Sequence, residues 1–268
     1  MSKLSELLED SAVELHGNAV DWKEAIRTAG GLLEKTGAIT GNYTQAMITS
    51  VEDNGPYIVV APGFAFAHAR PSEAVKRTAI SWLRLDEPVR FGHGTNDPVT
   101  LVVALAAQDD KAHTKAMSEL AKILGNKTKR ERLDTVESVD ELREALGDSK
   151  AEVKGASVST ASSTHQVAED SVASKGKIYT VCGNGLGTSL FLKNTLEQVL
   201  DVWGWGPYLT VEATDTISAK GRAKEADFLL TSGEIAATLG DVGVPVYVIE
   251  DFTNQQEIDA ALRELYDV

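Results

Sequence analysis

The sequence predicts an α/β protein of two domains joined by a flexible linker. The first is a mixed sheet flanked by helices, and the second a four-stranded, parallel, doubly wound sheet. Three observations lead there. Strand-like and helix-like patterns alternate over residues 1–147 and again over 177–268. Between them, residues 148–176 are rich in Ser, Ala, Thr, Lys and Glu, with no aromatic residue and no sustained periodicity. Such a segment buries too little apolar surface to offset the entropy of ordering, so it is expected to be a flexible tether. Finally, KIYTVCGNGLGTSLFL, from Lys177 to Leu192, reads as strand, glycine-rich turn and helix.

In the first domain, Leu4 to Leu8 reads as a short leading helix. Asp21 is placed to cap a helix from Trp22 to about Lys35, with Ala25, Ile26, Ala29, Leu32 and Leu33 recurring on one face. A second helix fits Asn42 to about Asp53 and stops at Asn54-Gly55-Pro56. Strands are expected at Tyr57–Ala61, Phe64–Ala69 and Thr78–Leu85. The nearly continuous apolar run Val99–Ala107 suits a central strand. Lys111–Leu124 is helical, and Ser138 with Glu141 matches a capping box before a last helix ending at Leu146. In the second domain strands are expected at Lys177–Cys182, Leu209–Ala213, Ala226–Thr231 and Pro245–Glu250. Helices are expected at Ser189–Val202, Ile217–Lys224, Glu234–Leu239 and Asn254–Tyr266. Ligands of such sheets sit outside the carboxyl ends of the strands, where Cys182 falls.

Composition narrows the class. With 43% hydrophobic and 25% charged residues the chain has a globular balance, and a net charge of −14 argues against nucleic-acid binding. No apolar run reaches the ~18 residues of a membrane span, and the N-terminus has no signal-peptide pattern. A single cysteine leaves no internal disulfide, which fits a soluble protein of the reducing cytoplasm. No metal or cofactor is called for.

That cysteine carries the chemistry. Gly183, Gly185 and Gly187 allow a sharp turn and close approach of backbone N–H groups, with Thr188 or Ser189 as N-cap of the helix. A thiol at a helix N-terminus is expected to favour thiolate, and Gly183, Asn184, Gly185, Leu186, Gly187, Thr188 and Ser189 would cradle a phosphate. The alternative is a small buried residue ending a strand. A low-molecular-weight tyrosine phosphatase needs arginine six positions after its cysteine, and Thr188 stands there. The dinucleotide fingerprint also fails, since Leu190 follows the glycines and no acid is suitably placed. A phosphoryl carrier suits these residues better than a hydrolase.

Of five histidines, His165 lies in the linker, and His16 and His93 are expected at the surface in polar turns. His68 ends the apolar run FAFAHARP. Strand alternation puts Phe64, Phe66 and His68 on one face and Ala65, Ala67 and Ala69 on the other. A neutral imidazole at the rim of an apolar floor can attack a phosphoryl group and pass it on, although a hydrogen-bonded structural histidine is the other reading. His113 opens the helix after the central strand, where a partner for His68 could stand or a surface histidine could equally sit.

Taken together, GPYIVVAPGFAFAHARPSEAV and Asp110-Lys-Ala-His113 resemble an enzyme IIA domain of the phosphoenolpyruvate-dependent sugar phosphotransferase system. The mannitol/fructose superfamily, in its ascorbate-type branch, is the nearest match. VCGNGLGTSL resembles an enzyme IIB domain of the ascorbate/galactitol type. The resemblance implies a phosphotransferase in which His68 accepts phosphate from the phosphocarrier HPr, with His113 holding the group. Cys182 would take it from His68 and deliver it to a sugar, L-ascorbate by resemblance and galactitol as the alternative. The sugar would be held by a membrane-embedded IIC subunit that keeps this protein at the inner face of the membrane and pairs two copies. The chain departs from the family where Ala67 replaces the proline often found before the active histidine. It departs again where Thr49 and Ser50 stand in the region that carries an arginine in the mannitol branch. The rival role is a regulatory phosphoprotein that reports sugar supply to a partner.

Overall fold

A computed structural model describes residues 4–124, 127–147, 174–183 and 188–267. The expected tether, 148–176, lies outside the described residues apart from its last three.

The N-terminal sheet is mixed and five-stranded, in the order β1-β4-β5-β3-β2. Its strands are β1 (Leu8–Gly17), β2 (Val59–Ala61), β3 (Phe64–His68), β4 (Ala79–Val89) and β5 (Val99–Ala106). β3 and β5 run parallel with His68 beside Leu105, so both strands end at the same edge of the sheet. Helices α1 (Trp22–Lys35) and α2 (Gly41–Asn54) cover one face, against Ala65 and Ala67. The Asp21 carboxylate caps α1 by accepting the Glu24 N–H at 2.8 Å, as the sequence predicts. On the other face lie Phe64 and Phe66, beneath α3 (Asp110–Leu124), α4 (Lys127–Thr135) and α5 (Val139–Gly147). The expected alternation of β3 therefore holds.

Two elements differ from expectation. The leading helix is only a turn at Leu4–Glu6, and the long strand β1 follows it. β1 lies at the sheet edge and buries only Leu8, Ala12 and Gly17, so it lacks the strict two-residue alternation of a strand core. α4 was not expected either. Its sequence, KTKRERLDT, has no apolar face beyond the buried Leu133.

The C-terminal sheet is four-stranded and all parallel, in the order β7-β6-β8-β9. Its strands are β6 (Lys177–Cys182), β7 (Thr210–Asp215), β8 (Phe228–Thr231) and β9 (Val246–Val248). Helices α6 (Ser189–Trp203) and α9 (Gln255–Tyr266) pack on one face, α7 (Thr216–Arg222) and α8 (Gly233–Leu239) on the other. β6 is the strand from which the order runs outward both ways, and Cys182 is its last residue. The crevice at such a switch point is where doubly wound sheets hold ligands.

The two sheets share a core. Phe191, Leu192 and Leu196 of α6 belong to the same buried cluster as Phe64, Phe66, Leu120 and Ile123. Polar bonds flank it: Phe252 N–H donates to Val60 C=O at 3.0 Å, and Asn96 Nδ2 donates to Glu250 C=O at 2.8 Å.

Candidate active site

His68 and His113 meet because β3 and β5 end together and α3 starts just past β5. Asp109 caps α3, accepting the Ala112 N–H at 2.8 Å, so His113 arrives one turn into the helix with its ring 5.6 Å from that of His68. His68 is only 2% exposed. Its ring stacks on Phe66 at 5.4 Å and meets the edge of Tyr57 at 5.8 Å. The backbone beyond it is clamped by Tyr43, whose hydroxyl lies 2.8 Å from Ala69 O and 2.9 Å from Leu105 O.

His68 Nδ1 lies 2.9 Å from Phe66 O. A carbonyl only accepts, so Nδ1 carries the proton and the lone pair sits on Nε2. Burial, with His113 adding to it, lowers the His68 pKa to about 3, and burial lowers that of His113 to about 4. Both rings are neutral near pH 7. His113 Nδ1 is buried with no hydrogen-bond partner among the described residues, leaving a polar atom beside His68 for an incoming group.

Cys182 is also 2% exposed. Its Sγ lies 3.3 Å from Ser189 Oγ and 3.9 Å from Thr214 O. The expected thiolate is corrected here: burial pushes the thiol pKa up, outweighing hydrogen bonds from Ser189 and Thr188, and Asp215 pushes the same way. Thr188, one of the two expected caps, is the N-cap residue of α6, in a helical conformation and with no side-chain cap bond, while Ser189 Oγ accepts from the Cys182 thiol. Gly183 sits where an added Cβ would come within 2.8 Å of Ile235 Cδ1 and 3.8 Å of Asn54 Oδ1, so the turn enters a tight space between the two domains. Asn184, Gly185, Leu186 and Gly187 lie outside the described residues.

The interface brings the two nucleophiles' surroundings together. Phe191, two residues past Ser189, packs 5.6 Å from Phe66 and 6.3 Å from Phe64. Tyr57 borders the His68 site, its ring edge-on to the imidazole with centroids 5.8 Å apart.

Of the remaining histidines, His16 is exposed and bonds Asp86 at 3.0 Å, in keeping with a surface role. His93 is not at the surface. It is buried, and its Nδ1 accepts the N–H groups of Asn96 at 3.1 Å and Thr95 at 3.3 Å. That turn aims Asn96 at the C-terminal domain. Sequence reasoning passed over Tyr43, Tyr57 and Asn96, and noted Ser50 only as a departure from the mannitol branch. Tyr57 opens an apolar run that reads as strand, and the others act through contacts distant in sequence.

A neutral imidazole and a thiol, each at the carboxyl edge of a sheet and buried near a common interface, are groups capable of accepting and passing on a chemical group. Comparison with known proteins gives the family. Residues 6–149 match the model of the phosphoenolpyruvate-dependent sugar phosphotransferase system EIIA 2 family, and the chain belongs to that family. Residues 177–264 match the lactose/cellobiose-specific IIB subunit model of the same system, where the ascorbate/galactitol type was expected. Glycines at short spacing report a turn with close backbone approach, a local signal that carries no information about a sugar. The ascorbate-specific EIIA component of Escherichia coli K12 is 39% identical over 107 residues, 40% of this chain and 70% of that one. The Salmonella typhimurium component is likewise 39% identical over the same shares. The solution structure of the mannitol-specific cryptic enzyme IIA of Escherichia coli aligns with a TM-score of 0.50 at 33% identity, covering 55% of this chain and 99% of that one. The chain is thus a phosphotransferase, a IIA–IIB phosphoryl carrier of the sugar phosphotransferase system.

Proposed function

We propose that the chain takes a phosphoryl group from HPr on His68 Nε2, passes it to Cys182 Sγ, and delivers it to a sugar held by a membrane IIC permease. The observation that carries this reading is the packing of Phe191, from the helix behind Cys182, on Phe66, the ring on which His68 stacks. In the central step the Nε2–P bond of phosphohistidine breaks and its electron pair returns to the imidazole, which is left neutral. The Sγ–P bond forms, and the thiol proton leaves to water. A low His68 pKa makes neutral imidazole a good leaving group, and no proton need be supplied to it. His113 Nδ1, as an N–H, would hold a phosphoryl oxygen on the histidine side. The first N–H groups of α6, at Thr188 and Ser189, would do so on the cysteine side.

The reading divides the chain into a phosphohistidine domain over 1–147, a tether over 148–176 and a phosphocysteine domain over 177–268. The tether keeps the second nucleophile at high effective concentration near the first. With both nucleophiles covered, the packed arrangement suits transfer between them, and the domains must part for HPr to load His68 and for the permease to unload Cys182. L-Ascorbate is the proposed sugar, supported by the ascorbate-specific relatives of the first domain. Among the described residues no helix is long and apolar enough to cross a membrane. A place at the cytoplasmic face, held through IIC, follows from the proposed partner, as does any pairing of copies.

The test is intact-mass and site mapping after incubation with phosphoenolpyruvate, enzyme I and HPr. His68→Ala should take no label, and Cys182→Ser should hold label on His68 only. Label on Cys182 in the His68→Ala protein would reject the relay.

A further inference from the structure

Tyr57 and Ser50 have no part in the relay as described above, yet both are buried beside it, 4% and 8% exposed. Ser50 Oγ and Tyr57 Oη lie 2.7 Å apart, and among the described residues neither oxygen makes another hydrogen bond. Two hydroxyls own two protons, and the bond between them uses one. The second proton is left without an acceptor in a buried place, an arrangement that ordinarily costs free energy and that natural proteins seldom leave unanswered.

The position of the pair indicates what would answer it. The Tyr57 ring meets His68 edge-on, with centroids 5.8 Å apart and planes at 81°. Ser50 lies one helical turn before Asn54, which donates its Nδ2–H to Ser50 O at 2.8 Å and faces the turn after Cys182 at Gly183. Burial, opposed by the bond from Ser50, pushes the Tyr57 phenol up to about 12, so it remains a neutral O–H donor at any working pH.

We propose that Tyr57, oriented by Ser50, is a phosphoryl-binding residue of the relay, its O–H donating to a non-bridging phosphoryl oxygen while the group passes from His68 to Cys182. The proposal rests on the relay reading. Ser50 O–H donates to Tyr57 Oη, which frees the phenol proton for the phosphoryl oxygen, and no proton changes owner. A donor that meets the group between the two nucleophiles stabilises the charge spread over its equatorial oxygens during transfer.

The test is rapid-quench phosphorylation of the full chain by phospho-HPr, with phosphohistidine and phosphocysteine counted separately. Tyr57→Phe keeps the ring, and the ratio of phosphocysteine formation to His68 loading should fall at least tenfold. Ser50→Ala should lower the same ratio by a smaller factor. A fluorinated tyrosine at position 57, a stronger acid, should restore transfer at neutral pH and bring the high-pH limit of the rate down into the measured range. A purely structural role would leave that limit where it lies in the wild type. Transfer within twofold of wild type in Tyr57→Phe, or an unmoved pH limit with the fluorinated residue, overturns the role of Tyr57 and leaves the relay standing. Failure of the wild-type chain to form phosphocysteine at all overturns the relay, and the role of Tyr57 with it.

Discussion

Phe66 carries His68 on one side, stacked at 5.4 Å, and meets Phe191 of the opposite domain at 5.6 Å on the other. A single aromatic ring therefore joins the floor of the first nucleophile to the helix that begins behind the second. Truncating Phe191 to Ala removes this junction. Truncation of a buried phenylalanine to alanine costs roughly 3–5 kcal/mol, the lost burial and the cavity together. Histidine-to-cysteine transfer should slow by at least tenfold in single-turnover assays, while loading of His68 by phospho-HPr stays near wild type.

Asn96 is the polar counterpart of Phe191. Its Nδ2 donates to Val59 O at 3.2 Å and to Glu250 O at 2.8 Å, tying strand β2 to the end of β9. Asn96→Ala leaves both carbonyls short of a donor and should weaken docking by about 1–3 kcal/mol. Because Cys182 is covered in the docked form, its alkylation by iodoacetamide should be slow in the wild type and faster in this variant. Equal alkylation rates would count against a docked ground state.

The histidine pair makes the protein sensitive to acid. Folding lowers the His68 pKa from 6.5 to about 3 and that of His113 to about 4, so the unfolded chain binds more protons between these values and 6.5. Stability then rises with pH across that window: it is fully present above pH 6.5 and is lost as pH falls toward the folded values. For His68 alone the loss from pH 6.5 to 4 is on the order of 3 kcal/mol. Denaturant midpoints should fall more steeply below pH 6.5 in the wild type than in His68→Gln/His113→Gln.

His113 offers a buried Nδ1 with no partner among the described residues. If it holds the phosphoryl group on His68, His113→Gln should shorten the life of the phosphohistidine or slow its loading by about tenfold or more. That factor corresponds to one charge-assisted hydrogen bond of about 1.5–3 kcal/mol. Mass-resolved pulse labelling separates the two effects.

Much of this was legible along the chain. Asp21, the apolar stripe of α1 and the alternation Phe64-Phe66-His68 are local signals, and each fixed its element and its buried face. VCGNGLGTSL marked the end of a strand at Cys182 and the start of a helix at Ser189, because glycines at short spacing punctuate a chain. β1 and α4 were hidden, since an edge strand and a mostly charged helix carry little hydrophobic periodicity. His93 looked like a turn residue at the surface, because its burial depends on what packs over the turn.

The sequence by itself determined two α/β units, a histidine at one strand end and a cysteine at another, because periodicity and turn chemistry are written in neighbouring residues. Only the tertiary structure decided that burial raises the thiol pKa, that Nε2 is the free nitrogen of His68, and that Tyr57, bonded to Ser50, meets the His68 ring edge-on. Burial, tautomer and juxtaposition depend on groups brought together from residues far apart in the chain, and desolvation exists only once those groups have closed over the site.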